Sequence, residues 1–171
     1  MSPVRSATPA DVAEIHAMVV ELAEYERDPD AVRATPADLH AALFGPRPVA
    51  EAIIAEPAPS HRPAGAPAIA GHAVFYETFS TWEGRPGIWL EDLYVRPAYR
   101  GTGLGAALFS HLARLVIARE GARLEWVALD WNTPALDFYE RFGARRYGQW
   151  PLHRLSGAAL DAAAEPHRPG K

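Results

Sequence analysis

The chain contains no cysteine among its 171 residues, which excludes disulfides, zinc–thiolate centres and a cysteine nucleophile together. It has no run of eighteen or more apolar residues, so no segment reads as a membrane-spanning helix. The opening MSPVRSATPAD lacks the apolar stretch of a secretion signal. These absences predict a cytoplasmic protein with no membrane partner. Charge of one sign is not accumulated either: 17 Lys and Arg stand against 21 Asp and Glu, a formal net charge of −4, and the basic residues are dispersed. That leaves no electrostatic footprint for nucleic acid and mildly favours small cationic partners. The 7 histidines are scattered, with no pair at metal-ligand spacing on one helix face, so no metal is assigned and most histidines are expected at the surface. No Gly-x-Ser-x-Gly elbow is present for serine-nucleophile chemistry.

Apolar residues, in contrast, make up 49% of the chain, enough for one domain with a real core and too little length for two ordinary ones. That domain is expected over residues 1–155, followed by a flexible Ala-, Pro- and Gly-rich tail over 156–171. The tetrapeptide TPAD occurs at Thr8 to Asp11 and at Thr35 to Asp38. Threonine can cap a helix, proline suits the first helical position, and an acid three residues after the cap makes a variant of the capping box. Val12, Ile15, Val19 and Leu22 recur at helical spacing, which predicts a helix to about Tyr25, and a short second helix is predicted near Pro36 to Phe44. Strands are predicted at Val4 to Ala7, Ala50 to Glu56, Ala68 to Thr78 and Gly87 to Val95. The Pro- and Ala-rich Pro57 to Pro67 reads as a mobile surface loop, and a tight turn around Glu83 to Gly87 makes the next pair a hairpin. Beyond Val95 come a helix (Leu104 to Glu120), a strand (Leu124 to Leu129), a helix (Pro134 to Phe142) and a final strand near Arg145 to Leu155. The order βααβββαβαβ describes an α/β (α+β) protein with a mixed sheet, antiparallel in its first half and with a parallel crossing in its second.

Arg100, Gly101, Thr102, Gly103, Leu104, Gly105 and Ala106 lie between a strand and a long amphipathic helix. Glycines there let backbone N–H groups approach a pyrophosphate, and the helix offers its positive end to the anion. Arg100 can add charge. A tight strand-to-helix connection without a ligand is the plain alternative on this segment alone. The spacing G-T-G-L-G is not the dinucleotide fingerprint G-x-G-x-x-G, and no Gly-Lys-Ser/Thr follows to make a Walker loop.

The segment LEDLYVRPAYRGTGLG and, further along, WNTPALDFYERFGA resemble the acetyl-coenzyme A motifs of the GCN5-related N-acetyltransferases (GNAT). Arg100, Gly103 and Gly105 meet the family's Arg/Gln-x-x-Gly-x-Gly/Ala loop, and Asn132 and Tyr139 meet the Asn and Tyr of its second motif. Within the superfamily, ELAEYE at Glu21 to Glu26, FGPRP near Phe44, WLED at Trp89 to Asp92, and Trp150 make the chain similar to the diamine (spermidine/spermine-type) acetyltransferases over residues 3 to 155. The resemblance implies the GNAT fold, with the pantetheine arm of acetyl-CoA pairing with backbone at Leu93, Tyr94 and Val95 where the fourth and fifth strands splay. It implies cofactor contacts at Arg100 to Ala106 and at Asn132, Pro134, Ala135 and Tyr139. It also implies a homodimer.

An amine acceptor with a free pKa of about 10.4 is neutral in roughly one molecule in 10³ at pH 7, a deficit of about 4 to 5 kcal/mol that the site must offset. Glu91 matches the family's glutamate and is the candidate base, acting through water, while Tyr139 is the candidate acid for the departing thiolate. By position alone Glu91 also reads as a solvated strand-end carboxylate, Tyr139 as an aromatic on a buried helix face, and Asn132 as a helix cap. Tyr25, Glu26, Glu91, Asp92, Trp82 and Trp150 are the candidate acceptor-binding residues, the aromatics being able to stack on a cation. Two positions depart from the polyamine branch: Ser80 and Gly148 stand where acids are expected, so a long polycation loses two counter-charges. A shorter amine is favoured: a diamine, a thialysine- or lysine-like amino acid, or an aminated natural product. A catalytically silent acyl-CoA sensor and a protein N-acetyltransferase remain as alternatives.

Overall fold

The two TPAD segments do what their capping chemistry demands. Thr35 and Asp38 form a reciprocal capping box, with the Asp38 backbone N–H donating to Thr35 Oγ1 at 3.2 Å and the Thr35 N–H donating to Asp38 Oδ2 at 2.8 Å. They open helix α2, Pro36–Phe44. Thr8 caps a short 3-10 turn, Pro9–Asp11, that leads directly into α1, Val12–Tyr25. The buried Asp11 carboxylate also receives Arg5 at 2.8 Å, which holds it at a pKa of about 2, chiefly through that hydrogen bond.

The computed structural model describes residues 2–165. Contacts divide the chain into two units, Met1–Val127 and Ala128–Lys171. In the first unit the strands β1 (Val4–Ser6), β2 (Glu51–Ala55), β3 (Gly71–Ser80), β4 (Arg85–Val95) and β5 (Arg123–Glu125) form one sheet in the order β1-β2-β3-β4-β5. The first four pair antiparallel and β5 adds in parallel, as the sequence predicts. The parallel crossover is α3, Leu104–Ala118. Because side chains alternate along a strand, Ile54, Val74 and Tyr94 join Ile15 and Met18 of α1 and Leu43 of α2 in one core cluster. The other parity supplies the buried Ile53, Ala73, Phe75, Ile88 and Leu90, and α3, which contacts β2, β3 and β4, buries Leu108, Phe109, Leu112 and Val116.

One side chain fastens α1 to the sheet. Arg96, just past β4, is 9% exposed and pairs with Glu14 at 2.9 Å and Glu21 at 2.9 Å, residues on one face of α1. It also donates to the Ile69 carbonyl at 2.9 Å, and its backbone N–H reaches Ala70 O at 2.9 Å. The 57–67 loop, read as mobile from its composition, is tied back by Arg62, which bonds Pro57 O at 3.0 Å and Glu56 Oε1 at 3.2 Å.

Of the histidines, expected mostly at the surface, His72 is fully buried on β3 between Ile54 and Tyr94 of the neighbouring strands, and among the described residues neither ring nitrogen has a hydrogen-bond partner. Two expectations differ from the structure. Strand β5 stops at Glu125 rather than Leu129. In the second unit, helix α4 spans Thr133–Glu140 and helix α5 Ala158–Ala164, but no described residue of 145–155 is in a strand. Instead the Trp150 N–H closes a turn on Tyr147 O at 3.1 Å. Gly148 and Pro151 weaken a strand there, proline by removing a ladder donor. Within the expected tail, α5 is helical, and residues 166–171 lie outside the described residues.

Two tests follow from the buried polar groups. Arg96→Met removes the cation and leaves Glu14, Glu21 and the Ile69 carbonyl without it; a cost of about 2 kcal/mol, discounted for the partial exposure of the two glutamates, is expected in urea unfolding. His72 is held down to about 3, first by burial and then by the Arg96 charge, so below its unfolded value of about 6.5 the unfolded chain binds the extra proton. Stability therefore falls as pH drops from about 6.5 towards 3, by at most about 1.4 kcal/mol per pH unit from this residue. His72→Leu should flatten that dependence; identical slopes for the two proteins would show that His72 contributes nothing to it.

Candidate active site

The site is built where the sheet departs from regularity. Along the β3–β4 hairpin, Val74 faces Asp92 but Phe75 faces Leu90, so Glu91 is the extra residue of a bulge in β4. A bulge re-aims a side chain. Neighbours in a regular strand point to opposite faces, yet here Glu91 and Asp92 feel each other. The half-buried Asp92 carboxyl is pushed up to about 6 by burial first, then by the negative charges of Glu91 and of Glu26. Glu26 is the C-cap of α1, and burial pushes its carboxyl up as well. Three predicted residues from two elements are thus one electrostatically coupled acidic group.

An aromatic pair borders it. Trp89 of β4 stacks on Tyr76 of β3 at 6.4 Å between ring centroids and 27° between planes, and the Trp89 indole N–H donates to Glu91 Oε2 at 3.0 Å. Burial and the Glu91 charge together raise the Tyr76 phenol. Sequence reasoning placed Trp89 in the WLED motif without giving it a role and did not single out Tyr76. Their cross-strand pairing gives a signal only once the hairpin register is known.

Beside this group β4 loses its parallel neighbour. Pairing with β5 ends at Trp89 and Glu125, so Leu93, Tyr94 and Val95 pair with β3 on one side and, among the residues of the first unit, have no strand on the other. The turn after β4 then brings Arg100 back. Its guanidinium carbon lies 4.9 Å from the Tyr25 ring centroid and 5.8 Å from that of Tyr94, and its Nε donates to Val95 O at 3.1 Å. Arg100, Tyr25 and Tyr94 are therefore brought together, with the guanidinium over the rings rather than extended across the glycine loop.

In that loop Gly101 and Gly103 have φ of +78° and +86°, values that L side chains rarely adopt, and a Cβ on either would meet nothing within 4 Å. The glycines are needed for conformation, and the surface above them is open. Thr102 Oγ1 donates to Tyr99 O at 2.6 Å and closes the turn. Gly103 caps α3, whose first turn contains no acid. The first-turn N–H groups of Leu104, Gly105 and Ala106 have no intrahelical acceptor, and no carboxylate of that turn offsets the helix dipole. An open, left-handed glycine turn ahead of a fifteen-residue helix fits a pyrophosphate.

Each remaining candidate is set by the element that carries it. Trp82 sits on the β3–β4 hairpin tip and is 86% exposed. Ser80 is buried, and its Oγ accepts the Glu83 N–H at 3.2 Å; it secures the turn, a task that explains a small hydroxyl there. In the second unit, Asn132 caps α4 with Oδ1 accepting the Ala135 N–H at 3.4 Å, and Pro134 occupies the first turn. The Tyr139 ring meets Phe138 edge-on at 5.2 Å, and Trp150 is exposed. Among the described residues no group of three or more His, Asp or Glu could hold a metal ion.

Comparison with known proteins assigns the family. Residues 65–144 match the acetyltransferase (GNAT) family. The chain is 36% identical over 162 residues to the thialysine N-epsilon-acetyltransferase of Sus scrofa, covering 92% of this chain and 94% of the relative. It is 28% identical over 198 residues to the L-ornithine N5-acetyltransferase of Arabidopsis thaliana, covering 94% and 87%. Its fold is shared with an integron cassette protein from the mobile metagenome of V. cholerae, at a TM-score of 0.76, 24% identity and coverage of 97% and 99%. Likeness of this extent along nearly the whole of both chains, with the parted strand and the glycine loop inside the matched segment, makes the chain a member of the GNAT acetyltransferase family.

Proposed function

We propose that the protein transfers acetyl from acetyl-CoA to the primary amine of a small molecule, a lysine-like diamino acid such as thialysine or ornithine, or a short diamine. The observation that carries this reading is the coupled group Glu26, Glu91 and Asp92 beside the Tyr76–Trp89 stack. It offers a cationic acceptor both counter-charge and aromatic surface at the strand edge where the family places acetyl-CoA. The relatives named for thialysine and ornithine support the acceptor class.

Acetyl-CoA supplies the activated acyl group as a thioester. The free backbone edge of Leu93, Tyr94 and Val95 pairs with the pantetheine arm, and the N–H groups from Gly101 to Ala106 bind the pyrophosphate with charge from Arg100. Asn132, Pro134 and Ala135, at the start of α4, complete the cofactor contacts. Glu91 removes the amine proton through a water, and Tyr139 gives its phenolic proton to the departing thiolate. Tyr25, Glu26, Asp92, Trp82 and Trp150 bind the acceptor. Ser80, committed to its turn, and Gly148 supply none of the extra acidity that a long polycation needs. The same reading takes residues 1–155 as one catalytic domain in a cytoplasmic homodimer.

Thiol release from acetyl-CoA should show higher kcat/KM for thialysine, ornithine or short diamines than for spermine; spermine as the best acceptor would overturn the substrate assignment. Tyr139→Phe and Glu91→Gln should each lower kcat by about 10²-fold, the lower end of acid–base contributions, with acetyl-CoA affinity by calorimetry retained. The Asp92 carboxyl, raised to about 6, carries its charge above that pH and loses it below, so KM for the amine should rise as pH falls from about 7 to 5. Asp92→Asn should show a raised and pH-independent KM over that range, and an unchanged pH profile would remove Asp92 from acceptor binding.

A further inference from the structure

We infer that Trp89 is a positioning residue for the reaction, its indole N–H holding one oxygen of Glu91 so that the other faces the acceptor amine. The inference rests on Glu91 being the base proposed above.

Glu91 is an exposed bulge residue, and a glutamate in that setting has three rotatable bonds and no reason to keep one orientation. Among the described residues its hydrogen-bond donor is Trp89, at 3.0 Å to Oε2. Trp89 is itself fixed by position and packing. It occupies the last rung of the parallel pairing with β5, opposite Glu125, pairs with Tyr76 on the other side, and stacks on the Tyr76 ring. A rigid ring thus holds a flexible carboxylate, the arrangement that keeps a reacting group within reach of productive geometry.

The chemistry of the donor suits the task. An indole N–H donates and cannot accept, so it takes no proton from the amine and leaves Oε1 available. It is also neutral. Among the described residues no Lys or Arg forms an ion pair with Glu91, whereas other surface carboxylates such as Glu51 and Glu56 are paired with arginine. A cation at this position would orient the carboxylate equally well but would repel a cationic acceptor and cancel the charge that attracts it. Trp89 orients without neutralising.

The ordinary alternative is a surface hydrogen bond between residues two apart with no catalytic consequence, and a double-mutant cycle separates the two. Trp89→Phe keeps a stacking ring and deletes the N–H; with thialysine and acetyl-CoA it should lower kcat about tenfold, leave KM for acetyl-CoA within about twofold, and leave the melting temperature near that of the unmodified protein. Trp89→Tyr, which retains a donor at the end of its ring, should stay within about twofold in kcat and serves as the second variant if the phenylalanine form does not fold. In a Glu91→Ala background the Trp89→Phe change should have no further effect. The same loss in both backgrounds, or no loss in either, would overturn the positioning role while leaving Glu91 as base. Full activity of Glu91→Ala would overturn the base assignment, and the positioning role with it.

Discussion

The position of α1 against the sheet depends on the bonds of Arg96. This guanidinium is almost wholly buried and satisfied by Glu14, Glu21 and a backbone carbonyl. Burying it is costly, and the arrangement persists only because the partners surround it. Its return is geometric. It fixes the C-terminal half of α1, from which Tyr25 and Glu26 project, against the end of β4, where the strand gives way to the glycine loop. Together with the packing of Ile15 and Met18 against the sheet, that clamp gives the Arg100 contact with Tyr25 and the coupling of Glu26 to Asp92 a common frame.

The acidic group and the open strand edge both arise from irregularities in β4. A bulge turns Glu91 towards the face that Asp92 already occupies, and the early end of β5 exposes backbone that a regular sheet would have consumed. Both depend on residues that individually look ordinary. Trp89 stands at the fork, with Tyr76 on one side and the last parallel rung on the other, so the same residue marks where pairing stops and where the carboxylate is held.

Much of this was legible in the sequence because its causes are local. Helix α1 ends at Tyr25 and α2 spans Pro36–Phe44 as predicted, since capping boxes and apolar spacing act within a few residues. The glycine loop was equally readable, its positive φ values at Gly101 and Gly103 being a matter of residue type. What was not legible depends on pairing. The sequence reading places a final strand near Arg145 to Leu155, but a strand forms only against a partner, and Gly148 and Pro151 favour the turn that is present. The approach of Glu26 and Glu91 to Asp92 and the stacking of Trp89 on Tyr76 require the hairpin register and its one-residue slip, which composition does not encode. His72 has the polarity of a surface residue and the strand parity of a core residue, and parity decided its place.

The side of β4 that β5 leaves unpaired in the first unit has a bearing on solubility. A free strand edge invites addition by another chain's strand, and natural proteins blunt such edges with charge. The unpaired part of β4 is rich in apolar residues, yet two adjacent carboxylates, Glu91 and Asp92, interrupt it. Adjacent carboxylates on an unpaired edge disfavour strand addition: a second copy adding a strand there would bring its own pair of acids up against this one, whereas a ligand bearing a positive charge meets no such repulsion.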